Sequence, residues 1–486
     1  MKRFFILIFL IITVFHLPSL FAQKRKSSND ENKGYEITFH IKGASDPVIY
    51  MAIHHRGQLY LRDSASVVQK EKYIFKGEKR LDDGLYTLVS HRKTPYLDFI
   101  LDKNQHFEYI IDTTMNPANF SVKNSPHNAE MLAFQVQTTK AKGMSKEFVE
   151  KIEKFKGEEN VDSTEYYQNQ LDNLDKEMKA YIKDLIERNP DYLFSKLQRA
   201  YQHIEIPDPP IRADGTIDSL FQIVYYRTHY WDNIDLSDRR MIYLPVLEPK
   251  YNDYIKRVLF YVEADTIIKY VDMFLEKTMV DSFMYRYFLD RLSTEFQGNN
   301  IGYDAVFVHL VKENHLKGKA TWIGEELLTK FRNRVRDLEK TLIGRKVPEI
   351  IMPDTSGQKW ISSHTLPYKY VILWFHDPAC QTCKKESAKL KHLYDSLEFA
   401  GTRNFEVYSI CNDKDIERWK KYVHEQQFKW INVGGNTANI DYREELNIIS
   451  NPSFFILDEN RVIILNKRIE MEMIPFFLEQ HEKKKK

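Results

Sequence analysis

The spacing of apolar residues changes twice along this 486-residue chain, which limits the architectures it can adopt. From residue 34 to about 114 apolar and polar side chains alternate. From about 128 to 340 apolar residues recur every three or four positions, and from 344 onward the two patterns take turns. A period of two predicts strands, and a period near 3.6 predicts helices. The length exceeds one ordinary core, so we expect a multidomain protein.

The first region is predicted to form a β-rich domain over residues 34–125. Tyr35–Ile41 alternates cleanly, and turn residues such as Gly43 and Asp82–Gly84 separate it from further short strands. The other strand candidates are Val48–Ile53, Tyr73–Phe75, Leu85–Val89, Leu97–Leu101 and Phe107–Ile111. Strands at this spacing predict an antiparallel β-sandwich or meander. The region shows no catalytic constellation, so we expect it to serve docking or assembly.

The second region is predicted to be an α-helical domain over residues 126–340. One apolar stripe is formed by Leu171, Leu174, Met178, Tyr181 and Leu185. Asn189–Pro190 is expected to end that helix, because a proline disfavours helical geometry in the residue before it. The region is rich in Tyr and Phe, and we interpret these as a core between helices rather than a ligand site.

The third region, residues 344–482, alternates strand and helix patterns. Tyr370–Phe375 is a continuous apolar run, as expected of a buried strand. Further strands are predicted at Phe405–Ile410, Phe454–Leu457 and Val462–Leu465, the last two as a hairpin. Helices are predicted around Leu390–Leu397, over Asp415–Gln426 and from Met471 to Leu478. This order of elements predicts an α/β sandwich.

The N-terminus is typical of an export signal over residues 1–22. Lys2 and Arg3 precede the apolar stretch Phe4–Leu17, and Ala22 ends a predicted cleavage region. The stretch is short for a membrane span, although an uncleaved membrane anchor is the alternative. The formal net charge is +2, which gives no electrostatic footprint for nucleic acid.

The chain has only three cysteines, Cys380, Cys383 and Cys411, all in the third region. An exported protein held together by disulfides carries more cysteines and spreads them along the chain. The Cys380–Cys383 pair is therefore predicted to be a redox-active centre. Cys411 ends a predicted strand and is expected to pack as a small buried hydrophobe. No second Cys or His pair stands at zinc-site spacing, so we expect neither a metal nor a cofactor.

The redox prediction follows from where the motif lies. Cys380 stands where a helix begins, and free N–H groups and the helix dipole there favour a nucleophilic thiolate. Cys383, one turn later, is placed to resolve the mixed disulfide. Glu386 either takes a proton from Cys383 or is a solvent-exposed residue of the first turn, and both alternatives stand. His376 and Asp377 precede the motif and could tune its pKa, but we interpret them as loop residues, with Asp377–Pro378 as a turn.

Asn451–Pro452 precedes a predicted strand. One interpretation is an entry position, where a proline cannot donate to the sheet. The other is a cis peptide bond that faces the cysteine pair.

Residues 347–480 resemble the TlpA/ResA-like branch of the thioredoxin superfamily, whose members are often grouped with AhpC/TSA-like peroxiredoxins. The resemblance rests on the strand before the motif, on Cys380–Glu386 and on Asn451–Pro452. It implies that Cys380 is the nucleophile and Cys383 the resolving cysteine. It also implies that Glu386 assists and that Pro452 is the cis-proline.

The chain departs from this family pattern at three positions. Ala379 replaces a tryptophan before the first cysteine, Thr382 replaces a frequent proline, and His376 replaces an aromatic residue. These departures bear on the redox potential and the partner surface rather than on the fold.

The two upstream regions are similar to uncharacterised β-rich and helical domains that precede such thioredoxin domains in Bacteroidetes. Gly34–Asp112 carries the first similarity, and Tyr230–Asp235 with Gly302–Phe307 carries the second. Together the resemblances imply a periplasmic enzyme of cell redox homeostasis. They imply protein thiols and disulfides as substrates and a membrane protein as electron donor. A peroxiredoxin-type thiol peroxidase and a non-catalytic cell-envelope binding protein remain the alternatives.

Overall fold

A computed structural model describes residues 34–157, 161–259, 263–297, 303–435, 437–466 and 469–485. The predicted signal segment 1–22 lies outside the described residues. The chain divides into two compact units, one ending at Ser195 and the other beginning at Lys196. The segment predicted as one helical domain is thus shared between the two units. Within the described part of the chain, no helix combines the length and apolar character needed to cross a bilayer.

The first unit begins with eight strands that form one continuous sheet. The strands are β1 (Tyr35–Lys42), β2 (Val48–His55), β3 (Gln58–Gln69), β4 (Lys72–Gly77), β5 (Gly84–Val89), β6 (Pro95–Leu101), β7 (His106–Asp112) and β8 (Ser121–Lys123). Their order in the sheet is β6-β5-β2-β3-β4-β1-β7-β8. All six predicted strands are present.

This sheet folds over on itself. Phe39 of β1 and Phe99 of β6 lie far apart in the strand order, yet their ring centroids are 5.3 Å apart. Side chains from the two halves therefore meet in one core, as in a sandwich. The expectation of purely antiparallel pairing was wrong, because β1 and β7 run parallel from Glu36–His106 to Lys42–Asp112.

The long strand β3 was not predicted. It pairs with β2 along most of its length and with β4 at its end, so it joins the two halves of the sheet. Nearly all of its side chains are exposed, so it lacks the alternation that marks a half-buried strand. Arg56 and Gly57, both with positive φ, form the two-residue turn that leads into it.

Helices α1 (Pro126–Gly157), α2 (Val161–Arg188) and α3 (Leu193–Ala200) follow. Phe134 stacks on Tyr181 and Phe155 on Tyr167, so α1 and α2 run antiparallel. Helix α2 carries the predicted apolar stripe and ends before Asn189–Pro190, as the sequence predicts.

The second unit begins with six further α-helices. They are α4 (Phe221–His229), α5 (Leu247–Asp253), α6 (Ala264–Thr278), α7 (Ser282–Phe296), α8 (Asp304–Leu310) and α9 (Glu325–Glu339), and π-helical turns extend α5 and α8. Their aromatic residues fill a shared core. The Phe274 ring lies 4.6 Å from Trp231 and 4.8 Å from Phe288 between ring centroids.

The chain ends in an α/β domain. Its elements are β9 (Ile351–Pro353), β10 (Trp360–Ser362), β11 (Tyr370–His376), α10 (Gln381–Phe399), β12 (Phe405–Cys411), α11 (Ile416–Gln426), β13 (Ile431–Val433), α12 (Tyr442–Glu445), β14 (Ser453–Leu457), β15 (Ile463–Leu465) and α13 (Ile474–Lys485). The order β13-β12-β11-β14-β15 places β11 at the centre. The pairs β11–β12 and β12–β13 are parallel, whereas β14 is antiparallel to β11.

The central strand β11 has core on both faces. Tyr370, Ile372 and Trp374 pack with α10, α11 and α13. The alternate residues, among them Leu373 and Phe375, pack on the opposite face. This arrangement explains the continuous apolar run in the sequence, since a strand buried on both faces shows no alternation.

Candidate functional site

The site lies where β11 ends and α10 begins. A short turn over Asp377–Pro378 connects them. In it the Asp377 carboxylate accepts the Ala379 backbone N–H at 2.7 Å, and the Asp377 carbonyl accepts the Cys380 N–H at 3.0 Å. The interpretation of Asp377 as a turn residue is confirmed, because a side-chain bond to the backbone two residues on is typical of Asx turns.

Cys380 is the N-cap residue of α10. Its sulfur accepts the backbone N–H of Cys383 at 3.2 Å, one of the N–H groups that a helix start leaves without an internal partner. A negative sulfur at this position is favoured by that N–H and by the helix dipole. The predicted placement of the first cysteine at a helix N-terminus is thus present in the structure.

The two cysteines of the motif differ in exposure. Cys380 is half-buried, whereas Cys383 is 1% exposed, and both thiols are free. Burial is the main cause that raises the pKa of the Cys383 thiol to about 12, and the hydrogen bond with the Cys380 side chain is the second cause. Only a thiolate is a good nucleophile. Cys380 is therefore the cysteine open to a partner, and Cys383 needs help to lose its proton.

The Asn451–Pro452 loop faces the first cysteine. Its peptide bond is cis, so the second interpretation of this dipeptide is confirmed. The Asn451 carbonyl oxygen lies 3.8 Å from the Cys380 sulfur, which donates to it. The loop is fixed to the end of β12, because the Asn412 amide donates to the Asn451 side-chain oxygen at 2.7 Å. Cys380 and Pro452, 72 positions apart in sequence, thus belong to one site.

Glu386 is buried, with 7% exposure, which excludes the alternative of a solvent-exposed first-turn residue. Its carboxylate lies 3.6 Å from the Lys389 ammonium, which also pairs with Glu470 at 2.9 Å. The proton-transfer role of Glu386 stays a prediction.

His376 was wrongly interpreted as a loop residue. It is the last residue of β11 and is 1% exposed. Neither ring nitrogen has a hydrogen-bond partner among the described residues. Burial lowers the pKa of the imidazole to about 4, against an opposing contribution from Asp413, so the ring is neutral at pH 7. The available sequence signal was its spacing of two from Trp374, which places both residues on one face of the strand.

Cys411 is buried at the end of β12, as predicted. Its sulfur accepts the Asp413 backbone N–H at 3.4 Å, and burial raises the pKa of its thiol to about 12. In the described part of the chain, no group of three or more His, Cys, Asp or Glu residues is arranged to hold a metal ion.

Comparison with known families separates two parts of the second unit. Residues 368–463 match a family described as thioredoxin-like, and residues 200–300 match a domain of unknown function, DUF5106. The first match contains both motif cysteines and the cis-proline. No curated protein matches the chain.

Several solved structures of bacterial proteins are similar to this chain. A thioredoxin-like protein from Bacteroides caccae is 18% identical, with a TM-score of 0.43, over 57% of this chain and 99% of that one. A domain of a possible thiol-disulfide isomerase from Cytophaga hutchinsonii is 31% identical over 29% of this chain and 95% of that one, with a TM-score of 0.27. The thioredoxin domain of a Bacteroides vulgatus thiol-disulfide oxidoreductase is 23% identical over 29% of this chain and 96% of that domain, with a TM-score of 0.25.

Proposed function

We propose that this chain, whose residues 368–463 match the thioredoxin-like family, is a periplasmic thiol–disulfide oxidoreductase that works through Cys380 and Cys383. One observation carries the proposal. The half-exposed sulfur of Cys380 caps a helix and accepts a backbone N–H, and the buried thiol of Cys383 lies in the first turn of that helix.

The exchange takes two steps. The Cys380 thiolate attacks one sulfur of a substrate disulfide, which forms a mixed disulfide and releases the other substrate sulfur as a thiolate. Cys383 then loses its proton and attacks the Cys380 sulfur. This step forms the Cys380–Cys383 disulfide and releases the second substrate sulfur. Two electrons pass to the substrate, and the pair is oxidised.

The surrounding residues receive roles from their positions. Pro452 follows the carbonyl of Asn451, which faces the Cys380 sulfur. This loop is therefore suited to lie along the chain of a bound substrate. Glu386, buried on the same helix one turn after Cys383, is proposed to assist the proton loss of Cys383.

The proposal also covers location and partners. The predicted signal segment 1–22 would export the chain to the periplasm, where disulfides form and need exchange. The substrates are protein thiols and disulfides. We propose that the enzyme acts as a reductant or isomerase, which requires a membrane protein to return electrons to the cysteine pair.

A trapping experiment tests this function. In a Cys383→Ala variant the second step is blocked, so a mixed disulfide should accumulate on Cys380 when the full chain meets a disulfide-containing protein substrate. Mass spectrometry of the adduct identifies both the attacking cysteine and the partner. A Cys380→Ser, Cys383→Ala double variant is the control and should trap nothing. If the single variant forms no more adduct than this control, or if the wild type consumes peroxide instead, the proposal is wrong.

A further inference from the structure

His376 breaks a rule that buried polar groups usually obey. The ring is 1% exposed, and neither nitrogen has a partner among the described residues. An unpaired buried polar group costs free energy, because its lost hydrogen bonds to water are not replaced. A hydrophobic aromatic side chain would avoid that cost. A histidine at this position therefore needs an explanation other than packing.

The geometry of β11 and α10 brings Cys383 and His376 to the same end of the strand–helix layer. The Trp374 indole N–H donates to the Ser387 hydroxyl at 3.1 Å, which fixes where the helix lies over the strand. His376 is two residues further along the same face of the strand, about 6.6 Å on. Cys383 is four residues back along the antiparallel helix, about 6 Å in the same direction. Both steps have nearly the same length, so the two side chains reach the same end of β11. The Cys383 sulfur interacts with the backbone of Asp377, the residue after His376, and the Tyr422 side chain lies near both the imidazole and Cys383. The thiol and the ring therefore share neighbours, although no hydrogen bond joins them.

The other titratable groups near the imidazole are neutral or already paired. From α11, the Tyr422 ring lies 6.0 Å from the imidazole between centroids, and its phenol interacts with Ser387. Asp413, in the loop after β12, acts on the charge of the ring, but its carboxylate is paired with Arg418 at 2.5 Å. From β12 comes the neutral thiol of Cys411, the register neighbour of His376. Near the start of α10 the buried acidic groups are the Cys383 thiol and the Glu386 carboxylate.

We propose that His376 accepts the proton that Cys383 loses when it attacks the mixed disulfide, as a second acceptor beside Glu386. This inference rests on the proposed function. The Cys383 sulfur–hydrogen bond breaks, its proton moves to a ring nitrogen, and the sulfur–sulfur bond to Cys380 forms. The bond between Cys380 and the substrate sulfur breaks at the same time. The imidazolium then returns its proton to the departing thiolate or to solvent.

Burial supports this pairing of groups. It raises the pKa of Cys383 to about 12 and lowers that of His376 to about 4, because burial penalises each charge on its own. A thiolate and an imidazolium that form together stabilise each other, so neither bears the whole penalty. Transfer within the pair is therefore easier than ionisation of either group alone.

A chromogenic aromatic disulfide, dithiobis-nitrobenzoate, separates the two steps in the reduced full-length protein. Attack by Cys380 releases the first thionitrobenzoate, and attack by Cys383 releases the second. With His376→Phe, the second release at neutral pH should slow on the order of 100-fold, the size of a general-base contribution, while the first release is unchanged. The variant's second release should then rise about tenfold per pH unit, because hydroxide must replace the ring, whereas the wild-type rate should depend on pH less steeply.

Two further variants make the result decisive. His376→Gln keeps a polar group that is not a base, so it should slow the second release as His376→Phe does, and near-ultraviolet circular dichroism shows that both variants are folded. Glu386→Gln measures the contribution of the carboxylate separately. An unchanged second release in folded His376→Phe, or a loss that only Glu386→Gln produces, would overturn the assignment. A missing first release in the wild type would instead contradict the proposed function.

Discussion

In the N-terminal unit the buried amides of Gln105 and Asn128 bond backbone groups, whereas in the thioredoxin-like domain the buried ring of His376 bonds none of the described residues. Gln105 pairs with both backbone groups of Leu81, and Asn128 with both backbone groups of Ile100. Paired amides of this kind fix the path of a chain. These two amides hold the fold of the N-terminal unit, whereas the ring of His376 stays free to take a proton.

The largest expected effect on stability comes from removing one of the paired amides, Asn128. Asn128→Ala removes bonds of 2.7 and 2.8 Å to Ile100 and leaves its N–H and C=O buried without partners. We expect a loss of about 3 kcal/mol in the stability of the sandwich. Hydrogen exchange of the β6 amides, followed by mass spectrometry, measures it.

The exposed residue Asn119 supplies the matched control, since Asn119→Ala should leave exchange in β6 nearly unchanged. Tryptophan fluorescence reports the second unit alone, because all six tryptophans follow residue 230. It should not change in Asn128→Ala. Unaltered protection of β6 in this variant would show that paired polar groups do not hold the sandwich.

The second effect is a pH dependence of stability that the unpaired ring of His376 causes. Because burial lowers the folded-state pKa of His376 to about 4 from an ordinary 6.5, the unfolded chain binds more protons between these values. Stability is therefore complete above about pH 6.5 and is lost as pH falls towards 4. We expect His376 to account for a loss of about 3 kcal/mol between pH 7 and pH 4.

Urea unfolding followed by tryptophan fluorescence tests this, with His376→Phe as the reference protein. The pKa values of His315 and His364 are also lowered by burial, but both proteins share these residues, so their contribution cancels in the difference. Between pH 7 and pH 4 the free energy of unfolding should fall by about 3 kcal/mol more in the wild type than in the variant. Parallel curves would mean that the ring already has a partner, and the contrast between the two regions would not hold.

The sequence predicted the elements that one strong local signal marks. A continuous apolar run gave β11, a second strand-like segment gave β12, and the strand–turn–CxxC pattern placed Cys380 at a helix start. It missed β3, because that strand is exposed along both faces and has no alternation. It also missed the parallel pairing of β1 with β7, since strands so far apart in sequence leave no local trace of their partner.

The candidate site was predictable to the same extent. Cys380, Cys383 and Pro452 carry motifs that can be read from neighbouring residues. The burial of Glu386 and His376 depends on how α10 lies over β11, and this position is set by contacts such as Trp374 with Ser387. Such contacts join residues that no sequence period connects. The role of His376 therefore became visible only when both elements were in place.

The smallest effect is expected for Cys411, which we place outside the group of residues that takes part in the exchange. Cys411 is the register neighbour of His376 and is equally buried, but its sulfur already accepts the Asp413 backbone N–H. It therefore resembles the paired groups of the N-terminal unit rather than the unpaired ring beside it. Cys411→Ala should cost about 1 kcal/mol in urea unfolding, the price of one buried sulfur, and leave both thionitrobenzoate releases unchanged. Cys411→Ser is the matched variant, because it keeps an acceptor for that N–H. A slower second release in both variants would move Cys411 into the redox cycle and extend that group of residues from β11 to β12.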